Sequence, residues 1–420
     1  MKKKKKVFLI SAVVFLITII IFSFLKLDFY QTKEFLKRNL DPRVFAFFQL
    51  VGDIERSTKK LNNDYNTIFL PKTQFLELSF KKIDISNNFK NANEVGYAQN
   101  LKQKVRQSFY LDYYNGKIFF LSSQGQLFFN YYPKIEINNQ LININTNLNL
   151  HKALDLFINK NKIYISGVIK YKNCLKLTLY EANINQSNIL NFENIFISKE
   201  CAKKNIQGGK ISKIFNKDSL LLTTAADILI NKDESDPKPQ DDNSIYGKIL
   251  EIDLNKKDYK IFSKGHRNAL GLYSDGEVIL ATENGPRGGD EINRIVFNQN
   301  YGWPKVSYGY KYKSNETYSN LHAENGFKEP IFTFIPSIGI SQIIKIENNF
   351  SKEWQNNFLI SSLNGNHLYR IKFGKNFEKV IFMEKIYIGE RMRDLIYLKD
   401  HNVILIALES SGSLGVLKNN

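Results

Sequence analysis

Cysteine, methionine and tryptophan are scarce in this chain: its 420 residues include two Cys, three Met and two Trp. Neither Cys174 nor Cys201 belongs to a Cys-x-x-Cys pair or a Cys/His cluster, which argues against a zinc site. Two cysteines permit a single intramolecular disulfide. The sequence leaves open whether they form that bridge or remain two free thiols.

Acidic residues are also few relative to basic ones, with 41 Asp and Glu against 59 Lys and Arg and a formal net charge of +18. Proteins that bind nucleic acids gather their basic residues into patches that face the phosphates. Here the lysines are scattered among Asn and Ile along the whole chain. We therefore expect no nucleic-acid partner.

Charge is absent from one long apolar run, residues 7–25, which follows five lysines at 2–6. A helix rises ~1.5 Å per residue, so this run just crosses a hydrocarbon core of about 30 Å. We predict a cytoplasmic tail at 1–6 and a single transmembrane anchor at 7–25 in the inner membrane, with the rest on the periplasmic side. A cleaved signal peptide is the alternative, although its apolar region is usually shorter and 22–27 offers no typical cleavage site.

Residues 26–64 are predicted to form a short helical linker. Asp41 and Pro42 are typical of a helix start, and apolar residues then recur at helical spacing up to Ile54. From about residue 65 to 418 the pattern changes to short β runs separated by turns, without long amphipathic helices. The runs at 109–114, 117–122 and 126–131 form a meander. The sequence thus predicts an all-β domain, and its irregular spacing does not distinguish a sandwich from a propeller.

Glycine, charge and aromatic residues are concentrated between 265 and 308. This stretch contains GHRN at 265–268, the loop GPRGGDEIN at 285–293 and NYGWP at 300–304. In order and spacing these motifs resemble the glucose/sorbosone dehydrogenase family, quinoproteins that bind pyrroloquinoline quinone (PQQ) on a six-bladed β-propeller. RMRD at 391–394 resembles the Arg-x-Arg-Asp of the same family.

The resemblance implies PQQ- and calcium-dependent oxidation of an aldose sugar or related alcohol, with a membrane quinone or a cytochrome as electron acceptor. Arginine suits the carboxylates of PQQ because its planar fork binds a carboxylate through two donors. Calcium suits carbonyl oxygens and can polarise a quinone. Carried over by position, the calcium carbonyls are those of Gly285 and Pro286. The implied PQQ contacts are Arg267, Asn268, Asn284, Asp290, Ser337, Asn364, Arg391 and Arg393.

The residues at the expected catalytic positions depart from the family pattern. The catalytic base of the family is a histidine shortly before a Gly-Gly pair, and Ile206 occupies that position in IQGGKI at 206–211. Isoleucine cannot accept a proton. The supporting acid is either lost or displaced to Asp227, and Asn364 replaces a lysine. The alternative hypothesis is therefore a catalytically inactive propeller that binds a glycan, a protein or PQQ, and a propeller without any ligand is a third.

Overall fold

The described part of the chain forms 25 β-strands arranged in six sheets. The computed structural model describes residues 78–89, 107–202, 205–225, 237–311, 316–319, 321–347 and 349–419. All of them belong to one unit, Gln74–Asn420. The sheets are the blades of a propeller and are numbered in chain order.

The strands of blades 1 to 3 have the following bounds. Blade 1 contains β2 (Phe109–Tyr114), β3 (Lys117–Ser122), β4 (Leu127–Tyr131), β5 (Ile142–Thr146) and β9 (Ile189–Leu190). Blade 2 contains β6 (Lys152–Asn159), β7 (Lys162–Tyr171), β8 (Cys174–Asn183) and β10 (Glu193–Ile197). Blade 3 contains β11 (Gly208–Lys213), β12 (Ser219–Thr224), β13 (Lys248–Asp253) and β14 (Asp258–Lys264).

Blades 4 to 6 complete the ring. Blade 4 contains β15 (Ala269–Ser274), β16 (Ile279–Glu283), β17 (Asp290–Arg294) and β18 (Phe332–Phe334). Blade 5 contains β19 (Ile340–Lys345), β20 (Phe358–Ser362), β21 (His367–Phe373) and β22 (Val380–Tyr387). Blade 6 contains β23 (Met392–Leu398), β24 (Val403–Leu408), β25 (Ser413–Asn419) and, as its outermost strand, β1 (Leu78–Asp84).

The ring closes through the pairing of β1 with β25, in the register Leu78 to Asn419 and Asp84 to Ser413. The innermost strand of each blade also contacts the innermost strand of the next, including β23 with β2. These contacts confirm the predicted all-β, six-bladed propeller.

Local sequence explains many of the strands. Asn115 and Gly116 both have positive φ angles, 47° and 79°, which is the turn geometry that joins β2 and β3 into a tight hairpin. Central strands such as β24 are buried along their whole length because the neighbouring blades cover both faces. This burial explains continuous apolar runs where a half-exposed strand would alternate.

Within the described ranges no helix is long and apolar enough to cross a membrane. The helices there are 3-10 turns of three or four residues: Ser86–Phe89, Lys134–Glu136, Lys238–Gln240, Ala323–Asn325, Lys352–Trp354, Lys375–Phe377 and Lys399–His401. This finding contradicts the predicted single-pass location in the inner membrane, since such turns are far shorter than a bilayer core. The predicted anchor at 7–25 and linker at 26–64 lie outside the described residues.

Candidate functional site

One end of the propeller gathers alternate connections between the strands of each blade, because neighbouring strands are antiparallel apart from β9, which pairs in parallel with β5 at the edge of blade 1. We call this end the site face. All the described residues predicted to bind PQQ or calcium lie in these connections or at the adjoining strand ends. The connections that matter here are 206–207, 265–268, 284–289, 335–339, 363–366, 388–391 and 409–412.

Arg267 is held at the site face by contacts on two sides of its guanidinium group. Nη1 donates to the carbonyl oxygen of Asn284 at 2.8 Å, and the group lies 5.4 Å from the centre of the Trp303 ring. Next to it, Asn268 Nδ2 donates to Gln207 Oε1 at 3.3 Å. Asn268 Oδ1 is buried and accepts no hydrogen bond from the described residues. This pair could therefore offer a ligand one cation and one acceptor.

His266 lies in a buried network that the sequence analysis missed. Its Nδ1 is 3.0 Å from Glu283 Oε2 and its Nε2 is 2.9 Å from Ser263 Oγ. Glu283 Oε1 also accepts the backbone N–H of Arg267. The Ser263, His266 and Glu283 side chains are all buried, each residue being 4% exposed or less. The network therefore orients the segment that carries Arg267.

Asp290 fixes the glycine-rich loop of blade 4 to the turn before β19. Its Oδ1 accepts the backbone N–H of Gly285, and its Oδ2 accepts those of Ile338 and Ile340, all at 3.0 Å. Burial raises the pKa of Asp290, while these backbone donors and the Ser337 hydroxyl group oppose the shift. Both Asp290 and Ser337 were predicted to contact PQQ. Asp290 is committed to backbone amides, and Ser337 lies half-buried beside it.

Gly285 and Pro286 were predicted to hold calcium through their carbonyl oxygens. The loop is tight, since a Cβ on Gly285 would lie 2.1 Å from the carbonyl oxygen of Gly289. Neither predicted carbonyl accepts a backbone hydrogen bond within the described ranges. Calcium takes about six to eight oxygen ligands, and no group of three Asp, Glu, His or Cys in those ranges could hold a metal. A calcium ion at this loop would depend on oxygens from a bound cofactor and water.

Arg391 and Asn364 meet at the site face between blades 5 and 6. Arg391 Nη1 donates to Asn364 Oδ1 and to the carbonyl oxygen of Leu363, both at 2.7 Å. Asn284, on blade 4, donates through Nδ2 to the carbonyl oxygen of Ile340. Asn284 and Asn364, two of the three asparagines at predicted cofactor positions, therefore bind protein groups and join neighbouring connections of the site face.

Glu409 is a second residue that the sequence analysis missed. Its two carboxylate oxygens each lie 3.0 Å from Arg393 Nη2, and Oε2 lies 3.5 Å from Arg391 Nε. Ser108 Oγ donates to it at 2.8 Å. Burial alone would raise the pKa of Glu409, but Arg393 and Arg391 lower it to about 2. A charge that directly follows the fully apolar run of β24 was the available signal.

Ile206 is buried. The residue is 2% exposed and belongs to an apolar cluster that includes Leu154, Tyr164 and Ile211. Asp227, the possible supporting acid, lies outside the described residues. The position that resembles the catalytic base is therefore part of the packing between blades 2 and 3.

Lys210, four residues after Ile206, joins three inner strands near the propeller axis. Its Nζ lies 2.6 Å from Asp155 Oδ1 on β6 and 3.1 Å from Asp394 Oδ1 on β23. Burial raises the pKa of Asp155 to about 6, although Lys210 opposes the shift. Burial also raises the pKa of Asp112, on β2, to about 7.

These carboxylates also bind the backbone of the next blade. Asp394 accepts the N–H of Leu111 at 3.0 Å, Asp112 accepts that of Ile158 at 2.5 Å, and Asp155 accepts that of Ile211 at 2.8 Å. Inner strands of blades 6, 1, 2 and 3 are thus connected in series. The cluster stabilises the ring beneath the site face.

Two sugar dehydrogenases are similar to part of the chain. The aldose sugar dehydrogenase YliI of Escherichia coli is 31% identical over 162 residues, 37% of this chain and 43% of that protein. Quinoprotein glucose dehydrogenase B of Acinetobacter calcoaceticus is 24% identical over 347 residues, covering 61% and 72%. The match to the Escherichia coli enzyme thus spans about two fifths of its length.

The solved apo structure of the soluble aldose sugar dehydrogenase from Escherichia coli shares the fold, with a TM-score of 0.64 and 17% identity. That comparison covers 82% of this chain and all of the other. The family model described as Glucose / Sorbosone dehydrogenase matches residues 148–416, from the end of blade 1 to the last strand of blade 6. With its motifs, its ring of six blades and this match in agreement, the chain belongs to the glucose/sorbosone dehydrogenase family.

Proposed function

We propose that the site face binds PQQ and that the protein uses it to oxidise an aldose sugar or a related alcohol. The observation that carries this proposal is the presence of Arg267, Arg391 and Arg393 on one face of a propeller of this family. PQQ is a tricarboxylate, and guanidinium groups bind carboxylates through paired N–H donors. The buried Asn268 Oδ1 adds an acceptor beside Arg267.

Charge supports an anionic ligand at this face. Arg391 and Arg393 lie side by side and both contact the carboxylate of Glu409. Arg267 contributes a third guanidinium group to the same face. A ligand with several carboxylates is therefore attracted to the site face.

When bound, PQQ would supply the electron acceptor for oxidation of the sugar, and calcium at Gly285 and Pro286 would polarise it. The protein itself must position the sugar hydroxyl group and remove its proton. Ile206 cannot do the latter, and general-base assistance contributes ~10²–10⁴-fold to such a reaction. We therefore expect slow turnover.

A second function, binding without turnover, is favoured by the surroundings of Ile206. Ile206 is an aliphatic side chain packed in an apolar cluster, and it cannot itself accept a proton. In that case the propeller would hold PQQ or a glycan as a binding module.

The test is a titration of the purified full-length chain with PQQ in the presence of calcium, followed by addition of a panel of aldoses. Binding changes the absorbance of PQQ. Oxidation of a sugar converts the bound PQQ to its reduced form, which the absorbance also reports. Neither a membrane quinone nor a cytochrome is supported as acceptor by the described residues, so a soluble redox dye completes the assay. Absence of PQQ binding would refute the proposal, whereas binding without reduction would favour the binding module.

Arginine variants make the titration specific. Arg391→Met and Arg393→Met should each weaken PQQ binding by about tenfold or more, because each removes a charged donor to a carboxylate. Arg370→Met is the matched control, since Arg370 forms an ion pair with Glu384 on β21 and β22, away from the three arginines. Equal losses of PQQ affinity in all three variants would contradict the proposal that Arg391 and Arg393 bind PQQ.

A further inference from the structure

The segment 237–247, which we call the blade 3 loop, lies against the backbone that carries Arg267. Gly265 N–H donates to the carbonyl oxygen of Pro239, and His266 N–H donates to that of Gly247, both at 3.0 Å. Gln240 Nε2 donates to the carbonyl oxygen of Trp303 at 2.7 Å. The loop thus holds both the Arg267 segment and the tryptophan on which the guanidinium group rests.

Glu200 holds the blade 3 loop from a different blade connection, between β10 and β11. Its Oε2 accepts the hydroxyl group of Ser244 at 2.8 Å and the backbone N–H of Ile245 at 3.1 Å. Its Oε1 lies 3.3 Å from Lys238 Nζ. One carboxylate therefore binds both ends of the loop. Ser244 and Ile245 are 4% and 2% exposed, so water cannot easily replace the carboxylate as their acceptor.

Glu200 is itself fixed by the disulfide between Cys174 and Cys201. The bridge joins the start of β8 to the residue directly after Glu200. Leu175 and Ala202, which follow the two cysteines, exchange two backbone hydrogen bonds of 2.9 Å. Cys201 is exposed and can be reached by a reductant.

We propose that Glu200 is a positioning residue for the Arg267 segment and that the disulfide keeps it in place. Reduction by a dithiol transfers two electrons and two protons to the bridge, giving two thiols and an oxidised dithiol. Without the bridge, Glu200 is held on blade 2 by the Leu175–Ala202 hydrogen bonds and by Ser198, whose Oγ donates to the Glu200 carbonyl oxygen at 2.9 Å. The blade 3 loop then loses one covalent support. The consequence for ligand binding at Arg267 rests on the proposed function, whereas the effect on the loop does not.

Hydrogen exchange of the full-length chain tests the structural step. Reduction should speed amide exchange in 237–247 and at Gly265 and His266 by about tenfold, because a loop with fewer supports opens more often. The Cys174→Ser/Cys201→Ser double variant should show the same exchange and no response to dithiol. Faster exchange confined to the neighbourhood of the two cysteines would overturn the proposal.

Glu200 variants separate positioning from general destabilisation. Glu200→Ala should expose the loop to exchange in the oxidised protein, and Glu200→Gln, which keeps an acceptor oxygen, should restore most of the protection. Glu193→Ala is the matched control, because Glu193 is on blade 2 and its side chain forms an exposed ion pair with Lys257 at 3.4 Å. Equal exchange in the Glu200→Ala variant and the wild-type protein would rule out the positioning role.

Binding of PQQ gives the second readout. If the proposed function holds, Glu200→Ala and reduction should both raise the Kd for PQQ, and Glu200→Gln should lie near the wild type. A change in exchange with an unchanged Kd would refute the effect on ligand binding. If the wild-type protein binds no PQQ, the proposed function fails while the exchange result still decides the role of Glu200.

Discussion

Arg393 Nη2 lies 3.0 Å from both carboxylate oxygens of Glu409, and the glutamate is 1% exposed. Glu409 directly follows β24, and Arg393 lies at the start of β23. Their ion pair therefore joins two parts of the site face within blade 6. Ser108, at the start of blade 1, donates to the same carboxylate. The arginine predicted to bind PQQ is therefore already oriented by a protein carboxylate.

Glu409→Gln should lower the free energy of unfolding at pH 7. The pKa of Glu409 is depressed to about 2, so its stabilisation is present above the ordinary pKa of Glu and is lost as pH falls through about 2. The lowered pKa corresponds to a contribution to the free energy of unfolding on the order of 3 kcal/mol. Urea unfolding at pH 7 and acid unfolding would measure it.

Glu384→Gln is the control for this prediction. Its ion pair with Arg370 is 2.6 Å long, but the Glu384 side chain is 44% exposed. An exposed pair contributes less than about 1 kcal/mol. Losses of equal size in the two variants would contradict the special role of Glu409.

Lys210→Met should be strongly destabilising. The substitution leaves Asp155 and Asp394 buried without their cation, and breaking a buried ion pair costs about 3–5 kcal/mol. Lys217→Met removes a lysine whose side chain is 51% exposed, from its pair with Glu251, and should have little effect. Chemical denaturation of both variants measures the two effects. Similar midpoints would show that the cluster of Lys210, Asp155 and Asp394 is not needed for stability.

Asp112→Asn should change how stability depends on pH. The pKa of Asp112 in the folded protein is raised to about 7, so its contribution is fully present below the ordinary pKa of Asp and is lost as pH rises through about 7. The loss is on the order of 4 kcal/mol. We expect the wild-type protein to lose more stability than the variant between pH 4 and pH 8.

Exposed Asp258 provides the comparison for Asp112. Asp258→Asn should leave the pH profile of the thermal unfolding midpoint parallel to that of the wild type. If Asp112→Asn also gave a parallel profile, burial of Asp112 would not control the pH dependence.

Ile206→His should raise turnover with an aldose if PQQ is bound, since a general base contributes ~10²–10⁴-fold. Ile211→His is the matched variant, because Ile211 belongs to the same apolar cluster. Both substitutions bury an imidazole and should cost stability, yet only the first should raise kcat. Turnover that stays at the wild-type level in both variants would favour the binding module.

Local chemistry made several strands predictable. The hairpin at Asn115 and Gly116 was expected because both residues tolerate positive φ angles. The bounds of β2 and β3 agree with the predicted runs at 109–114 and 117–122, because these runs are uninterrupted and end at turn residues. Two strands were not predicted. β18 has only three residues, and β1 pairs with β25, which lies far away in the sequence.

The sequence determined the fold class, the family motifs and the positions of the arginines, because these depend on residue types at short spacing. Only the tertiary structure decided the partners. It joined Leu78 to Asn419, Cys174 to Cys201 and Arg393 to Glu409, and it buried Ile206. Such pairings depend on which blades are neighbours, and charge or burial at one position does not specify a partner far away in the chain.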